Sequence, residues 1–417
     1  MTRTIKLAVA AAMALGATSA FATNGDHLIG LGAKARGMAG IGIGMSHGAE
    51  SSLANPALIS SVKGTEVSFG GTLFMPDVKV DAGAGQQDSA ADTNMIPEVS
   101  IANEAIKDTF YWGIGMWGTA GMGVDYRDAG TAGMGGNGTM QMVTNLQLMQ
   151  FGVPLTVKFE GFSLGVTPIL QYGALDINYQ MPDGMGGAST VGAGIAQDLA
   201  WGFNVGAAYD FGAVGVEGLT LGAVYKSEIE MEYKGQLSSA TQPFVDQGVF
   251  PAAMADTLTQ PAEIGVGVSY SYEGHTVAFD YKSIQWGEAK GYKDFNWDNQ
   301  NVYMVGYQYD AKAWAVRVGY NYAEQPIQEG NVMDPMAGYA NAALNTFNLL
   351  GFPATVESHI GVGGTYAFTN QLSGDLAFTY APETKTEFAT PNAMDMTATT
   401  EVAHSQTGVS FQINYAF

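Results

Sequence analysis

Hydrophobic and polar residues alternate strictly where the chain ends. In "GVSFQINYAF", Val409, Phe411, Ile413, Tyr415 and Phe417 alternate with Ser, Gln, Asn and Ala. Because the side chains of a β-strand point to opposite faces in turn, this period of two predicts a strand with one apolar face. A strand that stays apolar to its last residue is typical of a closed barrel, and a half-buried strand of a soluble sheet is the alternative.

The same alternation recurs along the chain and predicts about fourteen strands. In "AEIGVGVSYSY", the Ile, Val and Tyr residues at even positions between 264 and 272 lie opposite Glu, Gly and Ser. The predicted strands cover residues 64–80, 94–104, 108–124, 139–159, 162–179, 198–211, 217–234, 258–273, 275–287, 299–310, 313–325, 354–368, 371–387 and 399–417.

The connections between these strands alternate in length. Short ones such as "EGH" and "TNQ" are followed by long ones, which cover about residues 81–93, 125–138, 180–197, 235–257, 288–298, 326–353 and 388–398. Outer-membrane barrels combine short periplasmic turns with long external loops, whereas a soluble sandwich has no reason to keep this order. We therefore predict an all-β fold, a 14-stranded antiparallel transmembrane β-barrel over residues 64–417.

The first 22 residues predict a secretory signal peptide. Arg3 and Lys6 precede an apolar run at residues 7–17, and Ala20-Phe21-Ala22 forms a small-x-small cleavage signature. This run is too short to span a bilayer, and no later stretch reaches about 18 apolar residues. The predicted location is the bacterial cell outer membrane.

Composition is consistent with a barrel and excludes some other classes. The chain has no cysteine, which excludes a disulfide-stapled secreted scaffold. Its 56 glycines and 20 residues each of Tyr and Phe are typical of strands rather than long helices. The net charge of −22 argues against nucleic acid as a partner.

Two of the long loops are apolar, at residues 242–258 and 334–353, and predict short amphipathic helices. One interpretation is that they form an external patch that captures a hydrophobic ligand, and the other is that they pack on each other and cap the barrel. The candidate ligand-capture residues are Phe244, Val249, Phe250, Met254, Leu344, Phe347 and Leu350.

Residues 23–63 precede the first strand and are too rich in glycine to show any period. "SHGAESSLANPALISS" predicts short helical turns with a break at Pro56. The Leu, Ile and Met content argues against disorder, so we predict that this segment folds back into the lumen as a plug.

Within this segment, "GLGAKARGMAGIGIG" followed by "ANPALIS" resembles the N-terminal hatch of the FadL family. "VYKSEIEMEYKG" and the ending "NYAF" are also similar to the family, so the resemblance covers essentially the mature chain. The family comprises outer-membrane transporters for long-chain fatty acids and, in the TodX branch, aromatic hydrocarbons. The resemblance implies a fourteen-stranded barrel plugged by a hatch at residues 23–63. It also implies uptake without energy input, by loop capture, an internal apolar site and lateral exit beside an inward strand kink.

Carried over residue by residue, Asn55, Pro56 and Ala57 match the hatch motif, and residues 23–27 are expected near the internal site. The third strand, "YWGIGMWGTAGMGVDY", matches the region of the kink. Glycines lower the free-energy cost of an inward bulge there. The candidate residues of a lateral gate are Gly113, Gly115, Gly118 and Gly121.

One departure from the family concerns basic residues. Fatty-acid members place basic side chains near the ligand carboxylate, in part from the fifth strand, but "FSLGVTPILQYGALDINYQ" contains no Lys or Arg. Lys226, Lys282 and Arg317 are the candidate lumen basic residues, either as ligand anchors or as charges paired with acidic neighbours. The predicted ligand is a long-chain fatty acid, and a neutral aromatic or aliphatic hydrocarbon is the alternative.

No motif predicts an enzyme, a metal site or a cofactor. "GIGMWG" satisfies the dinucleotide-binding pattern but lies within a predicted strand, and the five histidines lack metal-ligand spacing. The predicted partners are a hydrophobic small molecule, outer-membrane lipid and lipopolysaccharide, and the barrel-assembly machinery through the strand ending at Phe417. A general porin, which would lack a hatch, and a structural barrel, whose loops should be polar, are the alternatives of a different class.

Overall fold

Fourteen antiparallel strands form the wall of a closed barrel in the computed structural model, which describes residues 23–129, 136–182, 187–392 and 395–417. Each strand pairs with the next, and the last strand pairs with the first from Ala416↔Glu66 to Glu401↔Asp81. The predicted 14-stranded barrel is therefore confirmed, while the predicted signal peptide lies outside the described residues.

The wall strands follow chain order. They are β1 (Thr65–Asp81), β2 (Asn94–Ile106), β3 (Phe110–Asp125), β4 (Val143–Gly152 and Leu155–Phe159), β5 (Phe162–Pro182), β6 (Ala196–Asp210), β7 (Leu219–Lys226 and Ile229–Glu232), β8 (Thr257–Gln260 and Glu263–Tyr272), β9 (His275–Ile284), β10 (Gln300–Asp310), β11 (Trp314–Ala323), β12 (Ser358–Ala367), β13 (Leu372–Ala389) and β14 (Thr399–Ala416). Further short strands are Thr23–Asn24, His27–Leu28, Gln87–Asp88 and Ala188–Val191.

The helical elements are short. The α-helices are α1 (Gly32–Gly37), α2 (Ser51–Ala54), α3 (Gln236–Asp246) and α4 (Gly338–Gly351). Single 3-10 turns cover Gly48–Glu50, Pro56–Ser61, Phe211–Val214, Trp286–Glu288 and Lys293–Phe295, and a π-turn covers Gly136–Met140. Within the described ranges, no helix is long and apolar enough to cross a membrane.

Alternation along each strand separates an apolar outer face from a polar inner one. On β8 and β9, for example, Val266 and Phe279 are exposed on the outside, whereas Ser269, Asp280 and Lys282 are buried on the inside. Lipid is the solvent of the outer face, so large apolar side chains are stable there, and polar side chains are confined to the lumen.

Three predicted strands are interrupted. The strand predicted at 139–159 begins at Val143 and breaks before Pro154, which has no N–H for the ladder. Those predicted at 217–234 and 258–273 break at residues 227–228 and 261–262, so β7 and β8 bend at the same level.

The helix predicted within 242–258 lies earlier, at Gln236–Asp246, because a distant carboxylate caps its start. Asp256 accepts hydrogen bonds from the backbone N–H groups of Gly235 (2.7 Å) and Ser238 (2.8 Å). This contact across the loop has no local pattern in the sequence.

The N-terminal segment, residues 23–63, lies inside the ring of strands and is almost entirely buried. Its backbone N–H groups at Thr23 and Ala33 donate to Gln406 (3.2 Å) and Gln412 (2.9 Å) on β14. Other groups of the segment bond to Asp280 on β9, at a distant position in the ring. The helical turns predicted around Pro56 are present, and a two-residue hairpin at Thr23–Asn24 and His27–Leu28 was not predicted.

Glycines of the wall allow this close approach. A Cβ atom at Gly361 on β12 would lie 2.2 Å from the carbonyl oxygen of Arg36 and 2.7 Å from the nitrogen of Ala39. At Gly319 on β11 it would lie 2.2 Å from the carbonyl carbon of Met38. The backbone of the N-terminal segment therefore rests directly on the backbone of the barrel wall.

Candidate functional site

A cavity of about 90 Å³ lies between the N-terminal segment and the wall strands. The wall contributes residues from β3, β4 and β6 to β10, and the N-terminal segment contributes His27 to Leu31, Gly40, Gly42, Ile43 and the end of α2. We take this cavity as the candidate site because it is internal, borders the predicted kink region and joins two chemically different surfaces.

One side of the cavity is charged. Glu263 on β8 receives three partners: Lys226 Nζ at 3.4 Å, Lys282 Nζ at 3.2 Å and His27 Nδ1 at 2.8 Å. Two lysines around one glutamate leave a surplus of one positive charge if His27 is neutral. Such a surplus favours an anionic group in the cavity.

Asp26 lies beside this cluster but is held by neutral donors. Tyr292 Oη donates to its carboxylate, as does Gln260 Nε2 at 3.2 Å. Burial raises the pKa of the Asp26 carboxyl above its ordinary value, against the opposing effect of His27 and these two donors.

Apolar side chains from both the segment and the wall also line the cavity. They are Leu28, Ile29, Leu31, Ile43, Leu53, Val224, Ile229 and Met304. A pocket with an apolar body and a few convergent polar groups suits a ligand with a hydrophobic chain and one polar end.

Strand β3 turns inward next to the cavity. It pairs with β2 as far as Trp117↔Glu98 and then leaves it, and its register with β4 shifts between Gly118 and Ala120. Beyond that point Ala120 pairs with His27 of the N-terminal segment. Thr119, at the shift, lines the cavity, so the divergence of β2 and β3 lies at the cavity wall.

The four glycines of the candidate lateral gate take different positions around this divergence. Gly113 and Gly115 lie where β3 is still paired with β2, Gly118 lies at the divergence, and Gly121 lies beyond it. A Cβ at Gly118 would come within 2.6 Å of Ile96 Cγ2 on β2. Of the four glycines, Gly118 is thus the one at the divergence itself, where a larger side chain would meet Ile96.

The candidate hatch motif joins the N-terminal segment to β6 and β4. Asn55 accepts a hydrogen bond from the Ala57 N–H (3.1 Å) and donates through Nδ2 to the carbonyl oxygens of Ile43 (2.9 Å) and Ala207 (3.2 Å). Pro56 starts the following 3-10 turn, and its carbonyl oxygen accepts a hydrogen bond from another strand, β4. Asn55 and Pro56 therefore connect two turns of the N-terminal segment to each other and to wall strands β6 and β4.

Replacement of Asn55 by aspartate is expected to loosen the segment more than replacement by alanine. Alanine removes the hydrogen bonds from Asn55 Nδ2 to two carbonyl oxygens, whereas aspartate places a negative charge against both. The measurement is the rate at which added protease cleaves within residues 23–63 of the purified protein. Equal rates for both variants and wild type would show that Asn55 does not hold the segment.

Arg317 lies apart from the cavity. Its Nη1 is 3.7 Å from Asp375 and donates to Thr365 at 2.7 Å, while Nε donates to Gln308 at 2.6 Å. Of the three candidate lumen basic residues, Lys226 and Lys282 thus meet at the cavity and Arg317 belongs to a separate polar network. All three have an acidic neighbour within 4 Å.

The candidate capture residues mainly pack on one another. Phe250, Phe347 and Leu350 are buried, and the Phe244 ring lies 5.6 Å from that of Phe250 and 5.4 Å from that of Phe347. Val249, Met254 and Leu344 are half-buried. The large apolar side chain most exposed on this face is Met336, at 98% exposure. In this conformation the two loops form a small core above the barrel rather than an open patch.

The family resemblance predicts residues 23–27, and so Asp26 and His27, near the internal site, whereas sequence reasoning missed Gln260 and Glu263. Glu263 faces inward by the same alternation that points Lys226 inward, so the pattern contained a signal for it. Gln260 comes from a bent strand end, where no period exists. Within the described ranges, no three His, Asp or Glu side chains come together as a set that could hold a metal ion.

Comparison with known proteins adds independent information. Residues 7–335 match the family described as outer membrane protein transport protein (OMPP1/FadL/TodX). The long-chain fatty acid transport protein of Escherichia coli O6:H1 (strain CFT073) is 23% identical over 440 residues, which cover 92% of each chain. Outer membrane protein P1 of Haemophilus influenzae is 23% identical over 402 residues, covering 83% of this chain and 85% of the relative.

Solved structures with the same fold include a toluene transporter and a FadL homologue. The Pseudomonas putida toluene transporter TodX has a TM-score of 0.68 at 17% identity, covering 93% of this chain and 99% of that chain. A Pseudomonas aeruginosa FadL homologue has a TM-score of 0.68 at 15% identity, covering 94% of this chain and 100% of that chain. With a family match over most of its length, the chain belongs to the OMPP1/FadL/TodX family of outer-membrane transport proteins for hydrophobic compounds.

Proposed function

We propose that this protein carries long-chain fatty acids passively across the outer membrane and that the cavity between the N-terminal segment and the wall is its internal binding site. The observation that carries the proposal is the placement of Lys226 and Lys282 around Glu263 in a cavity that apolar side chains also line. A fatty acid offers one carboxylate and a long chain, which match the two lysines and the apolar side chains. The name of the Escherichia coli relative, a long-chain fatty acid transport protein, agrees with this ligand class.

The driving force for entry is desolvation of the chain, at about 25 cal/mol per Å² of buried apolar area. The ligand reaches the loops from outside, moves to the cavity and leaves through the wall where β3 diverges from β2. The apolar outer face meets lipid, the long loops meet lipopolysaccharide, and the strand that ends at Phe417 serves recognition by the barrel-assembly machinery.

The present cavity, about 90 Å³, is smaller than the engineered apolar cavity of about 150 Å³ that binds benzene. A fatty acid is larger than benzene, so its binding requires the lining to move. The part of the lining that lies outside the fourteen wall strands is the N-terminal segment, which we assign the role of a hatch over residues 23–63.

The second candidate function is uptake of neutral aromatic hydrocarbons. The apolar part of the lining favours it, as do the names of structural relatives, the toluene transporter TodX and the monoaromatic hydrocarbon channel CymD. The pairing of both cavity lysines with Glu263 also favours a neutral ligand, because neither lysine is without a partner.

Lys226→Met is expected to separate these two candidates. It removes the surplus charge but keeps the buried Lys282–Glu263 pair, so the barrel stays intact. Loss of one charge-assisted contact of about 1.5 kcal/mol raises the dissociation constant for oleate about tenfold and leaves that for toluene unchanged. The measurements are oleate and toluene binding to purified protein, and uptake of each by cells that lack their own transporter.

The matched control is Lys290→Met, because Lys290 pairs with Glu230 on the exposed outer surface, at 2.5 Å. Toluene uptake without oleate uptake would favour the second candidate. Uptake of neither compound, together with ion conductance in planar bilayers, would overturn both candidates and indicate a porin.

A further inference from the structure

The wall has a second seam, between β6 and β7. These strands pair from Asp210↔Thr220 as far as Asn204↔Lys226, and the last backbone hydrogen bond runs from Ser227 N–H to the Phe203 carbonyl oxygen at 2.9 Å. Beyond it β6 continues to Ala196 with β5 alone as its ladder partner. Over this external half, no backbone ladder joins β6 to β7 among the described residues.

The seam exists because the β7–β8 hairpin bends inward. Its outer part, Ile229–Glu232 with Thr257–Gln260, forms a separate two-stranded sheet above the break at residues 227–228 and 261–262. Pro261 lies at this break and has no N–H to continue a ladder. The hairpin can therefore bend at one level on both of its strands.

Side chains fill the seam in place of a ladder. Ile229 packs against Gly202 of β6, where a Cβ would lie 2.5 Å from Ile229 Cγ1. Tyr233 reaches Gly173 of β5, where a Cβ would lie 2.1 Å from Tyr233 Oη. Ile229 and Tyr233 are buried, so apolar packing closes this part of the wall.

A side chain also bridges the outer end of the seam. The carboxylate of Asp198 on β6 accepts a hydrogen bond from the backbone N–H of Glu232 on β7, at 2.8 Å. This bond is exposed, so water can replace it when the hairpin moves. It therefore limits the opening of the seam less than a buried ladder would.

The candidate cavity lies directly behind the seam. Ser227 and Ile229 line the cavity, and Gly202, which Ile229 covers, has outward-facing neighbours on both sides along β6. Trp201 is 73% exposed and Phe203 45% exposed on the outer face. The side chain of Ile229 therefore lies between the cavity and the part of β6 that carries these exposed residues.

We propose that the seam between β6 and β7 is a second lateral passage, closed by Ile229, through which an apolar ligand exchanges between the cavity and the outer leaflet. The inference rests on the proposed function and adds a route distinct from the divergence of β2 and β3, which borders the cavity at Thr119. Displacing packed side chains breaks no ladder in the membrane, where each unpaired backbone group is costly.

A reversible disulfide across the seam tests this proposal. An ideal Cβ at Gly202 lies 3.0 Å from Ser227 Oγ, so the double variant Gly202→Cys, Ser227→Cys can form a disulfide across the seam. Because the chain has no other cysteine, this is the one disulfide that the variant can form within the protein. We expect oxidation to slow oleate uptake at least threefold relative to the same protein after reduction. The side chain introduced by Gly202→Cys crowds Ile229 in both the oxidised and the reduced protein. The difference in oleate uptake rate between the two forms therefore reports the effect of the disulfide alone.

The matched control is a disulfide between Ala207→Cys and Ala223→Cys, which are paired lower on the same two strands, where a ladder already joins them. Oxidation of this control is expected to leave the rate of oleate uptake unchanged. A second variant without cysteine, Ile229→Ala, is expected to raise the uptake rate at least threefold.

Equal uptake by the oxidised and reduced seam variant, or equal slowing by both disulfides, would overturn the passage. An oleate uptake rate for Ile229→Ala equal to that of the wild-type protein would also overturn it. Failure of the proposed function is distinguishable, because the wild-type protein itself would then take up no oleate.

Discussion

Replacement of Asp280 by alanine is expected to turn the closed barrel into an ion-conducting one. The Asp280 carboxylate on β9 accepts hydrogen bonds from three consecutive backbone N–H groups, those of Gly42 (2.7 Å), Ile43 (2.7 Å) and Gly44 (3.1 Å). Successive N–H groups that converge in this way form an anion-binding concavity. Without the carboxylate, three buried donors lose their partner, at about 1–3 kcal/mol each, and the N-terminal segment is expected to detach from β9.

The measurement is single-channel conductance of the purified protein in planar bilayers, together with sensitivity of the cells to a bulky antibiotic. The control is Asp246→Ala, because Asp246 is exposed at the end of α3 and bonds only to the side chain of Gln242 among the hydrogen bonds found in the described ranges. Wild-type conductance in Asp280→Ala would show that this carboxylate does not hold the segment.

Gly361→Val is expected to have an effect of similar size by a different mechanism. A Cβ at this position would lie 2.2 Å from the carbonyl oxygen of Arg36 and 2.7 Å from the nitrogen of Ala39. Both are backbone atoms and cannot rotate away, so the segment has to shift or leave. Valine itself suits a paired strand, so the barrel is expected to close normally and to conduct ions.

Gly364→Val on the same strand provides the comparison. Gly364 faces away from the segment, and a Cβ there would meet only the carbonyl oxygen of Ala315, at 3.1 Å. We expect wild-type conductance for this variant. If the two valine variants behave alike, crowding at Gly361 is not what seats the segment.

Alternation explains why much of the fold could be predicted from the sequence. The strand predicted at 299–310 is found at Gln300–Asp310, because every second residue must suit lipid and the others must suit the lumen. The same constraint predicted that Lys226, Lys282 and Arg317 face inward. Local pattern therefore specifies which residues share a face, for nearly every strand.

The candidate site could be predicted only in part, because it depends on where an irregular segment folds back. Asp280 looks like any inward-facing charge on a strand, and nothing local indicates that three N–H groups more than 200 residues earlier converge on it. His27 and Gln260 meet at 2.8 Å, although they lie 233 residues apart. The bend at Pro261 that brings Gln260 inward depends on the β7–β8 hairpin as a whole.

The position of the N-terminal segment also has a consequence for the order of folding. Thr23 and Ala33 bond to Gln406 and Gln412, across 383 and 379 residues of sequence. Contacts between such distant residues form slowly, since a long stretch of chain must first be organised. Both partners lie on β14, which follows the other thirteen wall strands in the chain and closes the ring. The first residues of the described chain to be synthesised are therefore expected to be among the last to reach their final place.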